Sequence, residues 1–184
     1  PLPAAGFAEN VLWMARDNQP YTKQEARVLD VLMMLHADHG GGNNSTFADV
    51  VISSTGTDIY SCISAAIGSL KGPKHGGAAG KVGAQTQMLL KKLNKDSSDE
   101  DVLQLCEDIL DKKEGDGSGL IYGIGHAIYT KSDPRCQLIK EEVRRLAQEK
   151  GELETFELMD RFEKAAVATM KKRKGTHVCA NVDY

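Results

Sequence analysis

No run of apolar residues approaches the roughly 18 to 20 needed to span a bilayer, and no charged start leads into an apolar stretch. Neither a membrane span nor an export signal is expected, and the expected location is cytoplasmic. The four cysteines, Cys62, Cys106, Cys136 and Cys179, never adopt C-x-x-C spacing, which argues against a zinc knuckle or a redox pair and leaves reduced packing residues. Strong charge of one sign is missing too: a formal net charge of −3 gives no field for capturing nucleic acid. Strict apolar-polar alternation never persists beyond a few residues, so strands are not expected, and no internal repeat is visible. The glycines of Gly115-Asp116-Gly117-Ser118-Gly119 and Gly123-Ile124-Gly125 form neither G-x-G-x-x-G after a strand nor a P-loop, which excludes the usual dinucleotide fold.

What is present is helical periodicity, and the predicted fold is all-α. Thr22-Lys23-Gln24-Glu25 has the form of a capping box, followed by Val28, Leu29, Leu32, Met33 and Leu35 on one side of a helix that runs into His36. After Gly40-Gly41-Gly42, Asn43-Asn44-Ser45 offers caps for a short helix over Phe47 to Ser53. Further helices are expected over Ile59 to Leu70, from Gly77 through Leu93, and over Asp101 to Lys113, the last capped by Ser97-Ser98-Asp99-Glu100. A long loop, 115–132, precedes Asp133-Pro134, a strong helix start because Pro suits the first helical position and Asp caps free amides. That helix closes at Gly151, and another covers Glu152 to Lys174. Its terminal run Lys171-Lys172-Arg173-Lys174 complements the helix dipole and needs no nucleic acid to explain it.

Three loops hold histidines beside glycines: Leu35-His36-Ala37-Asp38-His39-Gly40, Gly72-Pro73-Lys74-His75-Gly76-Gly77 and Tyr122-Gly123-Ile124-Gly125-His126-Ala127. Each places an imidazole at a helix boundary, where glycine lets backbone approach a ligand and free amides favour anions. Ser132-Asp133-Pro134-Arg135 puts a guanidinium in a first helical turn, suited to a carboxylate. Taken singly, each histidine reads as a hydrogen-bonded boundary residue. His36, Asp38 and His39 also admit a metal cluster, but H-x-x-H with no further nearby ligand is a weak signal, and no metal is expected.

Together these motifs resemble the citrate synthase family. L-H-A-D-H at Leu35 to His39, G-P-x-H-G-G-A at Gly72 to Ala78, and G-x-G-H-A-x-Y followed by D-P-R at Gly123 to Arg135 occur in the family's order, and the likeness runs to Asn181-Val182-Asp183. Gly40 departs from the Glu usual there. The resemblance implies a catalytic set of His75, His126 and Asp183, with His75 donating to the acetyl-CoA thioester oxygen, Asp183 taking a methyl proton and His126 polarising the oxaloacetate ketone. It implies that His39, His126 and Arg135 hold oxaloacetate, and that the backbone of Leu120, Ile121, Tyr122, Gly123, Ile124 and Gly125, with Lys131, meets CoA, although Thr130 stands where Arg is frequent. His75 precedes a helix start, whose dipole is expected to keep the imidazole neutral. Acetyl-CoA and oxaloacetate are then substrates and partners, no cofactor is implied, and the complete chain is expected to be a homodimer.

The same resemblance divides the chain into part of a large helical domain (1–74), a small mobile domain (75–179) and a return to the large domain (180–184). The chain opens Pro1-Leu2-Pro3 without Met and stops at Asn181-Val182-Asp183-Tyr184 without tail-like composition. An internal piece of a longer protein is therefore expected, one that lacks two further substrate arginines and is inactive alone. Two alternatives stay open: a 2-methylcitrate synthase acting on propionyl-CoA, since one methylene is worth only about 1 to 3 kcal/mol of discrimination, and a non-catalytic CoA- or protein-binding helical domain.

Overall fold

The amphipathic periods become eight α-helices among the described residues: α1 (Phe7–Ala15), α2 (Lys23–Ala37), α3 (Asn44–Ser53), α4 (Ile59–Leu70), α5 (Gly77–Lys92), α6 (Asp99–Leu110), α7 (Pro134–Lys150) and α8 (Leu153–Lys174). The computed structural model describes Leu2 and residues 4–37, 42–126, 129, 131–175 and 177–184. There is no strand among them, only an isolated antiparallel bridge between Ile124 and Ala180. No helix among the described residues is long and apolar enough to cross a membrane.

Helix starts follow their predicted caps. Thr22 and Glu25 form the reciprocal pair at α2: the Thr22 amide donates to Glu25 Oε2 at 2.6 Å and the Glu25 amide to Thr22 Oγ1 at 3.2 Å. Asn43 caps α3 three residues earlier than the expected start at Phe47, because its Oδ1 takes the Ser45 and Thr46 amides. Ser98 caps α6, and Asp133, with Pro134 in the first turn, caps α7. Helix α1 was not expected, since it begins at Gly6, which has no capping side chain. Its start is held instead by Glu9 reaching back to the Gly6 amide (2.6 Å) and by Asn10, whose amide nitrogen donates to the Leu2 and Ala5 carbonyls.

The core lies among α5, α6, α8, the loop before α7 and the first turn of α7. Leu89, Val102, Leu105, Cys106, Ile109, Ile121, Ile124, Cys136, Phe162 and Ala166 are buried there in one cluster. All four cysteines are buried and unpaired. Burial removes water from the Cys106 thiol and pushes its pKa up to about 12, so it packs as a small apolar group.

Helix α2 packs on α1 and α7, α7 on α8, and α8 on α6. Buried and half-buried polar groups register two of these contacts. Gln24 Nε2 donates to the Glu142 backbone oxygen and carboxylate, and Lys140 of α7 pairs with Asp160 and Glu163 of α8. Arg173 meets Glu107 of α6 at 2.6 Å and Asp111, which caps the end of α6, at 2.5 Å, so part of the terminal basic run serves as an interhelix tie. Helices α3 and α4 form a hairpin whose Phe47, Val50, Ile59, Tyr60, Ile63 and Ile67 are exposed.

Glu25 makes stability depend on pH. The hydrogen bond from Arg16, with those from Thr22 and Lys150, holds its pKa down at about 2 against the ordinary 4.5. A folded pKa below the unfolded one stabilises fully above the unfolded pKa and is lost as pH falls toward the folded one. The urea midpoint is therefore expected to fall less steeply in Glu25→Gln than in the parent between about pH 5 and about pH 3. Parallel slopes would show that the Arg16–Glu25–Lys150 contacts contribute nothing.

Candidate active site

Asp133 is fully buried, although the sequence marks it only as a cap. Its Oδ1 accepts the Arg135 amide and Arg135 Nε, each at 3.0 Å, and its Oδ2 accepts Arg135 Nη2 at 2.8 Å and the Val182 amide at 3.1 Å. Burial alone would raise its pKa. The hydrogen bonds and the guanidinium charge outweigh burial, and the carboxyl stays below its ordinary value.

His126 lies directly beside this pair. Its Nδ1 accepts the Tyr129 amide at 3.1 Å, which assigns the proton of the neutral ring to Nε2. That Nε2 is 3.4 Å from Arg135 Nη2. With the proton so placed, both groups are donors converging on one volume, an arrangement that suits an acceptor oxygen of a ketone or carboxylate. The Tyr129 ring supports both, with its centroid 4.8 Å from that of His126 and 5.6 Å from Arg135 Cζ.

Asp183 is brought to this cluster by backbone pairing. Gly125 donates to the Cys179 carbonyl at 2.7 Å and Asn181 to the Gly123 carbonyl at 2.8 Å, on either side of the Ile124–Ala180 bridge. The Asn181 side chain closes the junction: Nδ2 donates to the Gly125 carbonyl at 2.8 Å, and Oδ1 takes the Asp183 amide at 2.9 Å. Tyr184 then packs against Gly123, where a Cβ would stand 2.9 Å from Tyr184 Cβ and the backbone φ is +81°. Only glycine fits that position. Asp183 is half-buried, and its charge acts on the Arg135 guanidinium.

His75 is held elsewhere. Its Nε2 lies 3.0 Å from Ser45 Oγ, and Ser45 donates its own proton to Asn43 Oδ1, so Nε2–H of His75 is the donor. It stands one residue before the α5 cap, Gly76, where a Cβ would come closer than 3.0 Å to the Leu70 carbonyl oxygen. Among the described residues, no hydrogen bond or ion pair joins His75 to His126, Arg135 or Asp183. His39, with Asp38, Gly40 and Thr130, lies outside the described residues. His36 is exposed, with Nδ1 on the Leu32 carbonyl.

In the loop expected to meet CoA, Ile121 and Ile124 are core residues and Leu120 is half exposed. The Tyr122 amide and carbonyl are both taken by the Gln85 side chain, and Lys131 is exposed. Beside the loop is a cavity of about 210 Å³ lined by Lys81, Gln85, Met88, Leu120 and Tyr122 among others. A second cavity, about 270 Å³, lies between α7 and α8; it is mainly apolar, and its charged Lys140 and Asp160 are paired with each other. Asp133, Asn181 and Gln85 are the residues that sequence reasoning missed. An acid at the cap two places before an Arg was the one available signal.

The family model for the citrate synthase C-terminal domain matches residues 1–184. The chain belongs to the citrate synthase family. A citrate synthase of Deinococcus radiodurans is 35% identical over 177 residues, covering 96% of this chain and 42% of that relative. A 2-methylcitrate synthase of Shewanella oneidensis is 40% identical over 126 residues, 68% of this chain and 30% of the relative. Among solved structures, the Thermoplasma acidophilum citrate synthase in a ternary complex with carboxymethyl coenzyme A and oxaloacetate has a TM-score of 0.75 at 28% identity, covering 100% of this chain and 44% of its own. The citryl-CoA lyase of Hydrogenobacter thermophilus has a TM-score of 0.70 at 22% identity, over 98% of this chain and 63% of that one, a likeness of fold. This citrate synthase family chain thus spans less than half the length of the curated relatives it matches.

Proposed function

We propose that the full-length polypeptide carrying this chain condenses acetyl-CoA with oxaloacetate and hydrolyses the resulting thioester, releasing CoA and citrate. The observation that carries this reading is the convergence of His126 Nε2 and Arg135 Nη2, 3.4 Å apart, beside the turn that holds Asp183. Arg135 binds a carboxylate of oxaloacetate, with His39 as a second contact, and His126 donates to the ketone oxygen. Asp183 takes a proton from the thioester methyl group, and the methyl carbon then bonds to the ketone carbon. The ketone oxygen receives the His126 proton as its negative charge develops. Water then cleaves the thioester, giving a carboxylate and the CoA thiol.

A thioester methyl proton is too weakly acidic for a lone carboxylate, so the enolate oxygen needs a donor as charge forms. His75, whose Nε2–H donates to Ser45 in this structure, supplies it once the segments close around the substrates. The backbone of the 120–125 loop and Lys131 hold CoA. The exposed apolar row on α3 and α4 supports assembly as a homodimer.

Propionyl-CoA is the second reading, favoured by the likeness to a 2-methylcitrate synthase. The test is thiol release from acetyl-CoA and, separately, propionyl-CoA, each with oxaloacetate and the full-length polypeptide. Faster release from acetyl-CoA is the expected result. Faster release from propionyl-CoA would move the assignment to 2-methylcitrate synthesis, and none from either would leave a binding module.

A further inference from the structure

We propose that Asp133 is a positioning residue that couples substrate-anion binding to placement of the base. One buried carboxylate fixes the Arg135 guanidinium and also the backbone of the turn bearing Asp183. The roles of Arg135 and Asp183 in this inference rest on the function proposed above, whereas the coupling rests on four hydrogen bonds.

A guanidinium offers five donors in a rigid fork. Asp133 takes the side edge, Nε and Nη2, which fixes the plane of the fork and leaves Nη2 3.4 Å from His126 Nε2. The oxygen that binds Nη2 also accepts the Val182 amide, one residue before Asp183. Any shift of Oδ2 therefore moves the anion-binding fork and the base-bearing turn together. Asn181 holds the start of that turn through Gly123 and Gly125, and Tyr184 holds its end through the Met159 carbonyl; among these ties Asp133 supplies the one that reaches Arg135.

Capping alone does not require this residue. Asn is as good a helix cap as Asp, so if Asp133 only starts α7, Asp133→Asn costs little. For positioning, Asn fails, because one of its two terminal groups is a donor. It must face either Arg135 Nη2 and the Val182 amide, or Arg135 Nε and the Arg135 amide, and donor then meets donor.

The experiment uses the full-length polypeptide and its Asp133→Asn variant. Thiol-release kinetics are expected to show a higher oxaloacetate KM and a lower kcat, each by roughly tenfold to a hundredfold, since a small misplacement of reacting groups costs on that order. Arg135→Lys alone should raise KM, and adding Asp133→Asn to it should raise KM little further while still lowering kcat through the turn. Hydrogen–deuterium exchange, which needs no turnover, should be faster at the Val182 amide in Asp133→Asn. Unchanged exchange there, or KM and kcat within about twofold of the parent, overturns the proposal. If Asp133→Asn does not fold, Asp133→Glu, which displaces the charge by one methylene, is read in the same way. A parent without thiol release fails the functional reading, and the Val182 exchange then still decides whether Asp133 holds the turn.

Discussion

Asp183→Asn is expected to lower the rate of thiol release by about 10²- to 10⁴-fold, the range for removing a positioned acid or base. The substitution is nearly isosteric. The bond that sets this residue's place is made by its backbone amide to Asn181 Oδ1, and the neighbouring Val182 amide is bonded to Asp133. Neither bond uses the Asp183 carboxylate, so fold and turn should survive and the loss should fall on kcat. An amide cannot accept the methyl proton at neutral pH. Oxaloacetate KM should change little, because in the proposed function its carboxylate is held by Arg135. The effect is thus distinguishable from that of Asp133→Asn, which moves KM and kcat together. Turnover within tenfold of the parent would remove Asp183 from the role of base.

Phe162→Ala is expected to cost about 3 to 5 kcal/mol of stability, the range for truncating a buried aromatic to alanine. Phe162 is 1% exposed on α8, in the cluster that joins Leu89 of α5, Leu105 and Ile109 of α6 and Ile124 of the loop before α7. Helices bring these groups together from several directions, so the cavity cannot close by moving one side chain. A urea denaturation midpoint measures the loss, with Leu103→Ala as a control at a position 41% exposed on α6. Equal effects at the two positions would refute this placement of the core. The damage should reach the site as well, because Ile124 lies between the glycines that pair with Cys179 and Asn181.

Caps and periods were legible because they are local. Thr22 with Glu25, Ser98 with Asp101, and Asp133 with Pro134 each lie within one helical turn, and each starts the helix expected of it. Helix α1 escaped because Gly6 offers no capping side chain and the holding groups, Glu9 and Asn10, sit inside the helix. The His126 loop and the Asp-Pro-Arg turn were recognisable as chemistry-bearing from glycines, an imidazole and a guanidinium close together in sequence. What escaped was the part that Ile121, Ile124 and Gln85 play: two loop residues turn out to be core, and a helix glutamine binds both backbone groups of Tyr122.

The sequence by itself determined an all-helical chain, the starts of most helices and the residue types of the site, because helix hydrogen bonds and caps join residues at most four apart. Only the tertiary structure decided that Asn181 pairs with Gly125 across 56 positions and that Val182 shares the Asp133 carboxylate with Arg135 across 49. It also placed His75 on Ser45, 30 positions away. Contacts at such separations carry no periodic or spacing signal. They form because burying Phe162, Ile121 and Ile124 fixes how the helices lie, and that packing leaves Asp133 in a dry position where it must find every hydrogen bond within the protein.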